Sequence, residues 1–192
     1  MKNLLVVVDM VNGFVNTGAL ADKKINKITP NIERLIKLAK QKHMPILAFR
    51  DCHSENDSEF KVFPKHCVKG TIESELIPEL KKYEKDMVIV DKNTTNGFVT
   101  QRFQQIAHVF DFDNVYVVGC CTDICVKGFV ESYLKFNKTN NRRAKINVIA
   151  DACYTFDGPD HNAEEMHYQS LLDMEKAGAN IINCNKTFNL EK

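Results

Sequence analysis

The chain has 192 residues, of which 44% are hydrophobic and 27% are charged, an ordinary balance for one globular domain. Its 26 lysines and arginines against 25 aspartates and glutamates leave a net charge of +1, so we expect no surface for nucleic acid or an anionic membrane. The composition therefore predicts a single domain over residues 1–192 whose partner is a small, weakly charged molecule.

The apolar run near the N-terminus spans residues 4–8 and stops at Asp9. It is too short for a secretion signal or for a membrane span, so we expect a cytoplasmic protein in a reducing compartment. The seven cysteines are then expected as free thiols, metal ligands or a catalytic group rather than as disulfides.

Short, nearly continuous apolar runs recur, as is typical of strands that are buried on both faces. They lie at residues 4–8, 46–49, 87–90, 115–118, 146–149 and, more weakly, 181–182. Helical patterns begin at Thr29–Pro30, near Thr122 and after Gly158–Pro159–Asp160. The second should end near Phe136 and the third at Gly178. This alternation predicts an α/β fold, a three-layer sandwich with a mainly parallel central sheet of about six strands flanked by helices.

Polar residues directly follow four of the predicted strands. They are Asp9, Asp51, Lys92 and the segment from Gly119 to Cys125. In open parallel sheets, ligands bind beyond the carboxyl ends of the strands, which meet at one edge. We therefore expect the functional site at that edge.

Cys125 is predicted to lie in the first turn of the helix after the fourth strand. A helix N-terminus favours the thiolate and so lowers a thiol pKa, and a thiolate can attack a carboxamide carbon. A structural buried cysteine is the alternative, and Cys120 and Cys121 remain rival nucleophiles. Asp9 is either a proton acceptor or a loop cap, and Lys92 either a site residue or a solvated lysine.

A second group of polar residues follows the second strand. Asp51 and His53 are two residues apart and project to one side if the strand continues, while Glu59 and His66 follow in the next loop. Carboxylate and imidazole ligands suit Zn²⁺, Fe²⁺ or Mn²⁺. A polar loop that faces water would explain the same residues.

The segment Gly119-Cys-Cys-Thr-Asp-Ile-Cys-Val126 resembles the Gly-x-x-Thr-Asp-x-Cys-Val motif of the isochorismatase-like cysteine hydrolases, and within them of nicotinamidases. The resemblance runs from Asp9 to the Asn-rich C-terminus. It implies that Cys125 is the nucleophile of a triad with Asp9 and Lys92. It also implies a cis peptide between Cys120 and Cys121, and an oxyanion hole made by the backbone N–H groups of Cys121 and Cys125.

The same resemblance implies one divalent metal ion, with Zn first and Fe or Mn as alternatives, that takes the pyridine nitrogen of nicotinamide as a ligand. Its implied protein ligands are Asp51, His53, Glu59 and His66. Phe14, Phe98 and Cys121 are the implied substrate contacts, while Asn96 stands where the family often has Ser. The expected activity is hydrolysis of nicotinamide to nicotinate and ammonia through a cysteine thioester, in NAD salvage.

Other functions remain open at this point. A related amidohydrolase could act on a carbamoyl or ureido compound with the triad and no metal. A non-catalytic binding protein is the second alternative, although all three triad positions are filled. A redox role for adjacent Cys120 and Cys121 is more remote, because vicinal cysteines form disulfides only with strain. The sequence is compatible with a monomer or a homo-oligomer.

Overall fold

The computed structural model describes residues 2–186, so the predicted domain of residues 1–192 extends past the described range at both ends. Six parallel strands form one sheet within that range: β1 (Asn3–Val8), β2 (Ile46–Asp51), β3 (Val88–Lys92), β4 (Asn114–Gly119), β5 (Lys145–Cys153) and β6 (Asn180–Ile182). Their order across the sheet is β3-β2-β1-β4-β5-β6. The sheet therefore grows in opposite directions from the central pair β1 and β4.

Helices cover both faces of this sheet. They are α1 (Asn12–Val15), α2 (Thr29–Gln41), α3 (Pro78–Lys81), α4 (Gln101–Val109), α5 (Lys127–Thr139) and α6 (Ala163–Ala177). The apolar side chains of α2 and α3 pack in one buried cluster, and those of α4, α5 and α6 pack in another. The predicted three-layer α/β sandwich with a six-stranded parallel sheet is confirmed. No helix among residues 2–186 is both long enough and apolar enough to cross a bilayer.

The packing of β1 explains why apolar and polar residues do not alternate in its sequence. Leu5 and Val7 belong to the cluster beneath α2, whereas Leu4, Val6 and Val8 belong to the cluster beneath α5. Because both faces of the strand are covered, every second residue has an apolar neighbour on its own side. A continuous apolar run is the result.

Two local features differ from the predicted elements. The helix α4 was not predicted; Thr100 caps it by accepting a hydrogen bond from the backbone N–H of Phe103. The helix predicted to begin near Thr122 starts as a π-helical turn, Thr122–Val126, and continues as α5 to Thr139 rather than ending near Phe136. The Val126 N–H donates to the Cys121 carbonyl, an i to i+5 bond that widens this turn.

The ends of β1 and β4 approach each other closely. Val8 pairs with Gly119, which has a φ of +117°, and a Cβ at residue 119 would lie 2.0 Å from the Val8 carbonyl oxygen. Only glycine fits this position without strain. Asp9 and the Cys120–Cys125 segment therefore leave neighbouring strands where the strand order reverses, which is the place where ligands bind in open α/β sheets.

Candidate active site

A cavity of about 410 Å³ opens at the carboxyl edge of the sheet, within the usual size for small-molecule sites. Much of its wall is apolar and is formed by Phe14, Leu20, Phe63, Ile124 and Phe156. The polar groups that converge on it include side chains from the two predicted clusters: Asp51, Glu59, His66, Cys121 and Cys125. The cavity therefore combines an apolar wall with a thiol and with imidazole and carboxylate groups.

Lys92 does not line the cavity itself but lies behind two residues that do, Asp51 and Cys125. Its side chain and that of Asp9 have no solvent exposure, and its ammonium nitrogen lies 2.8 Å from a carboxylate oxygen of Asp9. The same nitrogen donates to Asp51 Oδ1 at 2.8 Å and lies 4.0 Å from the Cys125 sulfur. The structure thus brings together the three residues of the predicted triad around one buried ammonium group.

Burial determines how these groups are protonated. It raises the pKa of Asp9 to about 6, although Lys92 acts in the opposite direction. Burial opposes the charged form of Lys92, but the neighbouring Asp9, Cys125 and Asp51 outweigh it and raise the lysine pKa well above its usual value. Asp9 is therefore a carboxylate near neutral pH that can still take up a proton.

The thiol of Cys125 is also affected by burial, which raises its pKa well above the usual value despite the nearby Lys92. The expectation that a helix N-terminus lowers this pKa is therefore wrong for the resting structure. The physical reason is desolvation, since Cys125 is only 6% exposed although it lines the cavity. Cys125 rests as a thiol and needs a base to become a nucleophile.

The three cysteines of the motif occupy different positions. The peptide between Cys120 and Cys121 is cis, as the resemblance implies. Cys120 is fully buried and its thiol donates to the Asp9 carbonyl oxygen at 3.1 Å, whereas Cys121 and Cys125 line the cavity. Of the rival nucleophiles, Cys120 is thus kept away from the cavity by packing.

The predicted metal ligands also come together. Asp51 Oδ2 lies 2.9 Å from His53 Nε2 and 3.2 Å from His66 Nε2. Glu59 Oε2 lies 3.4 Å from His53 Nε2, and it is buried with no hydrogen-bond partner within residues 2–186. The donor atoms of the Asp51, His53 and His66 group all lie within 4.8 Å of one another.

The second nitrogen of each imidazole supports this arrangement. His66 Nδ1 lies 2.7 Å from the Pro64 carbonyl oxygen, which can only accept, so Nδ1 carries a proton and Nε2, which faces Asp51, is the nitrogen that would bind a metal ion. His53 Nδ1 lies 3.4 Å from a carboxylate oxygen of Asp57, to which Asn93 donates at 3.0 Å. Backbone or carboxylate partners of this kind are usual behind metal-bound histidines. The residues fit a divalent ion.

One predicted substrate contact is not supported by its position. Phe98 is buried among Phe103, Phe129 and Tyr133 on the far side of the sheet from Phe14, and it does not line the cavity. The Asn96 side chain accepts a hydrogen bond from the Phe98 N–H and starts a tight turn, Gly97–Val99.

Other residues near the site follow from the fold but were not predicted. Within the segment after β3 it is Thr95, rather than Phe98, that lines the cavity. Phe156 and Asp157 follow the fifth strand and line the cavity from the opposite side. The rule that ligands bind at the carboxyl ends of strands could have identified Phe156 and Asp157. Asp57 carried a weaker signal, its spacing of four residues from His53.

Comparisons with known proteins agree on the family and on the type of fold. Residues 3–186 match the isochorismatase domain family. The chain is 34% identical to Nicotinamidase 1 of Arabidopsis thaliana over 206 residues, covering 93% of this chain and 84% of that protein. The pyrazinamidase of Pyrococcus horikoshii, solved in complex with zinc, is similar with a TM-score of 0.79 and 27% identity, covering 95% of this chain and 99% of that one. The N-carbamoylsarcosine amidase of Thermoplasma acidophilum gives a TM-score of 0.80 and 26% identity, with 97% and 98% covered.

Proposed function

The chain belongs to the isochorismatase family and is an amidohydrolase, and we propose that within this family it hydrolyses nicotinamide to nicotinate and ammonia. One observation carries the proposal. A single cavity holds the Cys125 thiol beside the group formed by Asp51, Glu59 and His66, with the ring of Phe14 in its wall. Such a cavity can bind a nitrogen heterocycle and expose its carboxamide to a nucleophile.

Acylation begins with the resting thiol of Cys125. Asp9 takes the thiol proton while the sulfur attacks the carboxamide carbon, which gives a tetrahedral adduct. We propose that the backbone N–H groups of Cys121 and Cys125 donate to the negative oxygen, and that the Lys92 ammonium stabilises the added charge. The C–N bond then breaks as Asp9 returns the proton to the leaving nitrogen. Ammonia leaves and a thioester on Cys125 remains.

Hydrolysis of the thioester uses the same groups, with water as the nucleophile and the sulfur of Cys125 as the leaving group. Asp9 removes a proton from a water molecule, whose oxygen attacks the thioester carbon. The C–S bond breaks, the proton passes to the sulfur of Cys125, and nicotinate is released. Amide and water are thus converted to carboxylic acid and ammonia, which become carboxylate and ammonium when the acid gives up its proton, and the enzyme returns to its resting thiol.

We propose that Asp51, His53, Glu59 and His66 hold one divalent ion, with zinc as the first choice and iron or manganese as alternatives. When bound, the ion supplies a Lewis-acid contact for the ring nitrogen of the substrate. The chain itself supplies the remaining orientation, because Phe14 lines the cavity with its ring centroid 5.8 Å from that of His66. A flat heteroaromatic ring can pack against Phe14.

A related amidase with an anionic substrate is the alternative, and the charges of the cavity argue against it. Among residues 2–186, no lysine or arginine lines the cavity, whereas Asp22 and Asp157 do. A substrate such as N-carbamoylsarcosine carries a carboxylate, which would meet Asp22 with no lysine or arginine among the described residues of the cavity wall, while Lys24 beside the cavity is already paired with Asp157. A neutral amide avoids this electrostatic repulsion.

We further propose that the reaction serves NAD salvage in the cytoplasm, since it converts a free amide into the acid. The substrate is the one partner required by this account, and no nucleic acid or membrane takes part in it. Monomeric and homo-oligomeric forms are both compatible with a cavity formed within one chain.

The proposal is tested by ammonia release from the purified full chain. We expect release from nicotinamide and pyrazinamide, loss of activity after treatment with a chelator, and recovery when zinc is returned. N-carbamoylsarcosine should be a poor substrate. Equal activity with and without one bound divalent ion would contradict the proposed role of the metal group, and preference for the anionic amide would contradict the proposed substrate.

A further inference from the structure

The imidazole of His161 joins two parts of the active site that no proposed catalytic step uses. Its ring stacks on Phe156, with centroids 4.0 Å apart and planes 3° from parallel. Its Nε2 lies 2.7 Å from Asp123 Oδ2, and its Nδ1 lies 2.9 Å from the Phe156 carbonyl oxygen. We call these contacts the Asp123–His161–Phe156 bridge.

The partners of the ring determine its protonation. A carbonyl oxygen can only accept a hydrogen bond, and so can an ionised carboxylate. A neutral imidazole donates from one nitrogen, so both contacts are hydrogen bonds only when the His161 ring is an imidazolium. The side chain is 19% exposed and that of Asp123 is 8% exposed, which favours a well-defined ion pair. The Asp123 carboxylate also raises the pKa of His161, although burial acts against it.

The two ends of the bridge belong to different segments of the active site. Phe156 lines the cavity, and Asp123 belongs to the π-helical turn that carries Cys125. Asp123 Oδ1 is buried and has no hydrogen-bond partner in the described part of the chain. The ion pair between His161 and Asp123 Oδ2 therefore supplies the counter-charge of this carboxylate. Loss of His161 would therefore release both the aromatic wall and a buried charge beside the nucleophile.

We propose that His161 is a positioning residue that holds Phe156 against the substrate ring. Through Asp123 it also connects this part of the cavity wall to the turn Thr122–Val126, which carries Cys125 and which we call the nucleophile turn. The inference rests on the proposed function, because it assigns Phe156 to the binding of a heteroaromatic amide. His161 itself touches neither the substrate nor the reacting atoms. It acts through Phe156 on substrate binding and through Asp123 on the turn.

The surroundings of the ring favour its positive charge. On the solvent side it adjoins a cleft whose other charged residues are Asp157, Asp160, Glu165 and Lys24. Lys24 forms an ion pair with Asp157, which leaves the cleft acidic. Asp123 faces the ring from the nucleophile turn. Acidic groups thus outnumber basic ones both in the cleft and on the Asp123 side of the imidazolium, while Phe156 covers one face of the ring.

A double-mutant cycle tests the bridge. We expect His161→Ala and Phe156→Ala each to raise KM for nicotinamide by about tenfold, the size of a lost aromatic contact. The kcat of Phe156→Ala should stay within about twofold of the wild type, whereas that of His161→Ala should fall further, because it also leaves Asp123 unpaired in the turn that carries Cys125. Because His161 acts on binding through Phe156, the double variant should have the KM of Phe156→Ala alone. If His161→Ala does not fold, His161→Phe replaces it in the cycle, since it keeps a flat ring but loses both donors.

His108→Ala is the matched control, because His108 is exposed, contacts Phe136 and does not line the cavity. Its KM should equal that of the wild type. The cycle is run on whichever of nicotinamide, pyrazinamide and N-carbamoylsarcosine the wild type hydrolyses, so failure of the proposed substrate is seen separately. Additive effects of the two changes would overturn the inference. So would nitrogen-15 NMR spectra that show a neutral His161 ring at pH 7.

Discussion

The ammonium of Lys92 donates to a carboxylate oxygen of Asp51 at 2.8 Å, so one buried ion pair connects the proposed nucleophile centre with the proposed metal ligands. The same ammonium pairs with Asp9 at an equal distance of 2.8 Å. One positive charge therefore faces two buried carboxylates. Any change in that lysine should affect proton transfer, metal binding and folding together.

Replacing Lys92 by Met should destabilise the metal-free protein by about 3–5 kcal/mol, because two buried carboxylates lose their counter-charge. Urea unfolding followed by circular dichroism measures this free energy. Lys127→Met is the control, since Lys127 pairs with Asp173 in a partly exposed ion pair worth about 0–1 kcal/mol. An unfolding free energy of Lys92→Met equal to that of the wild type would contradict the arrangement.

The pH dependence of kcat/KM should report the protonation of the Asp9 carboxylate. Its raised pKa of about 6 means that the carboxylate needed to accept the thiol proton is present above that pH and is lost below it. We therefore expect kcat/KM for nicotinamide to fall about tenfold per pH unit below about pH 6. A profile that stays flat down to about pH 4, the ordinary range of an aspartate, would be inconsistent with a buried Asp9 as the base.

Asp57 should affect the affinity for metal although it is not among the proposed ligands. Asp57→Asn removes the negative charge beside His53 Nδ1, and loss of such a partner typically weakens metal binding by about 10–100-fold. Competition with a chromogenic zinc chelator measures the change. Asp111→Asn, at an exposed site paired with Arg142, should bind zinc as the wild type does. Unchanged zinc affinity in Asp57→Asn would show that Asp57 does not support metal binding through His53.

Gly119 should tolerate no side chain. Its φ of +117° and the 2.0 Å approach of a Cβ to the Val8 carbonyl oxygen make Gly119→Ala costly, by about 3 kcal/mol or more. Gly128→Ala, in α5, is the matched control: its Cβ would lie 3.7 Å or more from the side chain of Asn96, and this change should stabilise by about 0.4–1 kcal/mol. Thermal unfolding of both variants tests the pair, and equal melting temperatures would contradict the close approach.

The parts of the site that the sequence predicted are those that depend on strand ends. Asp9, Asp51 and Lys92 follow apolar runs, and parallel strands necessarily bring such residues to one edge. The motif around Cys125 pointed to the proposed nucleophile, and the family resemblance, rather than spacing alone, pointed to His53 and His66 as proposed metal ligands. These positions depend on topology and local order, both of which are present in the residue pattern.

Other parts depend on packing that a sequence pattern does not contain. The direction of Phe98 is determined by the Asn96 cap and by the aromatic cluster around Phe129. The protonation of Cys125 follows from burial, which opposes the effect of the helix N-terminus. The contact of His161 with Asp123 joins residues 38 positions apart along the chain. Each of these required the folded structure.

The most direct test of the central claim compares nicotinamide hydrolysis by the wild type, Cys125→Ala and Cys121→Ala in the zinc-loaded protein. Ammonia and nicotinate are measured together, with circular dichroism to confirm folding. We predict that Cys125→Ala lowers kcat by about 10⁴-fold or more, as loss of a nucleophile does. Cys121→Ala keeps its backbone N–H and should stay within about tenfold of the wild type. Hydrolysis of nicotinamide by Cys125→Ala at the rate of the wild type would contradict the account.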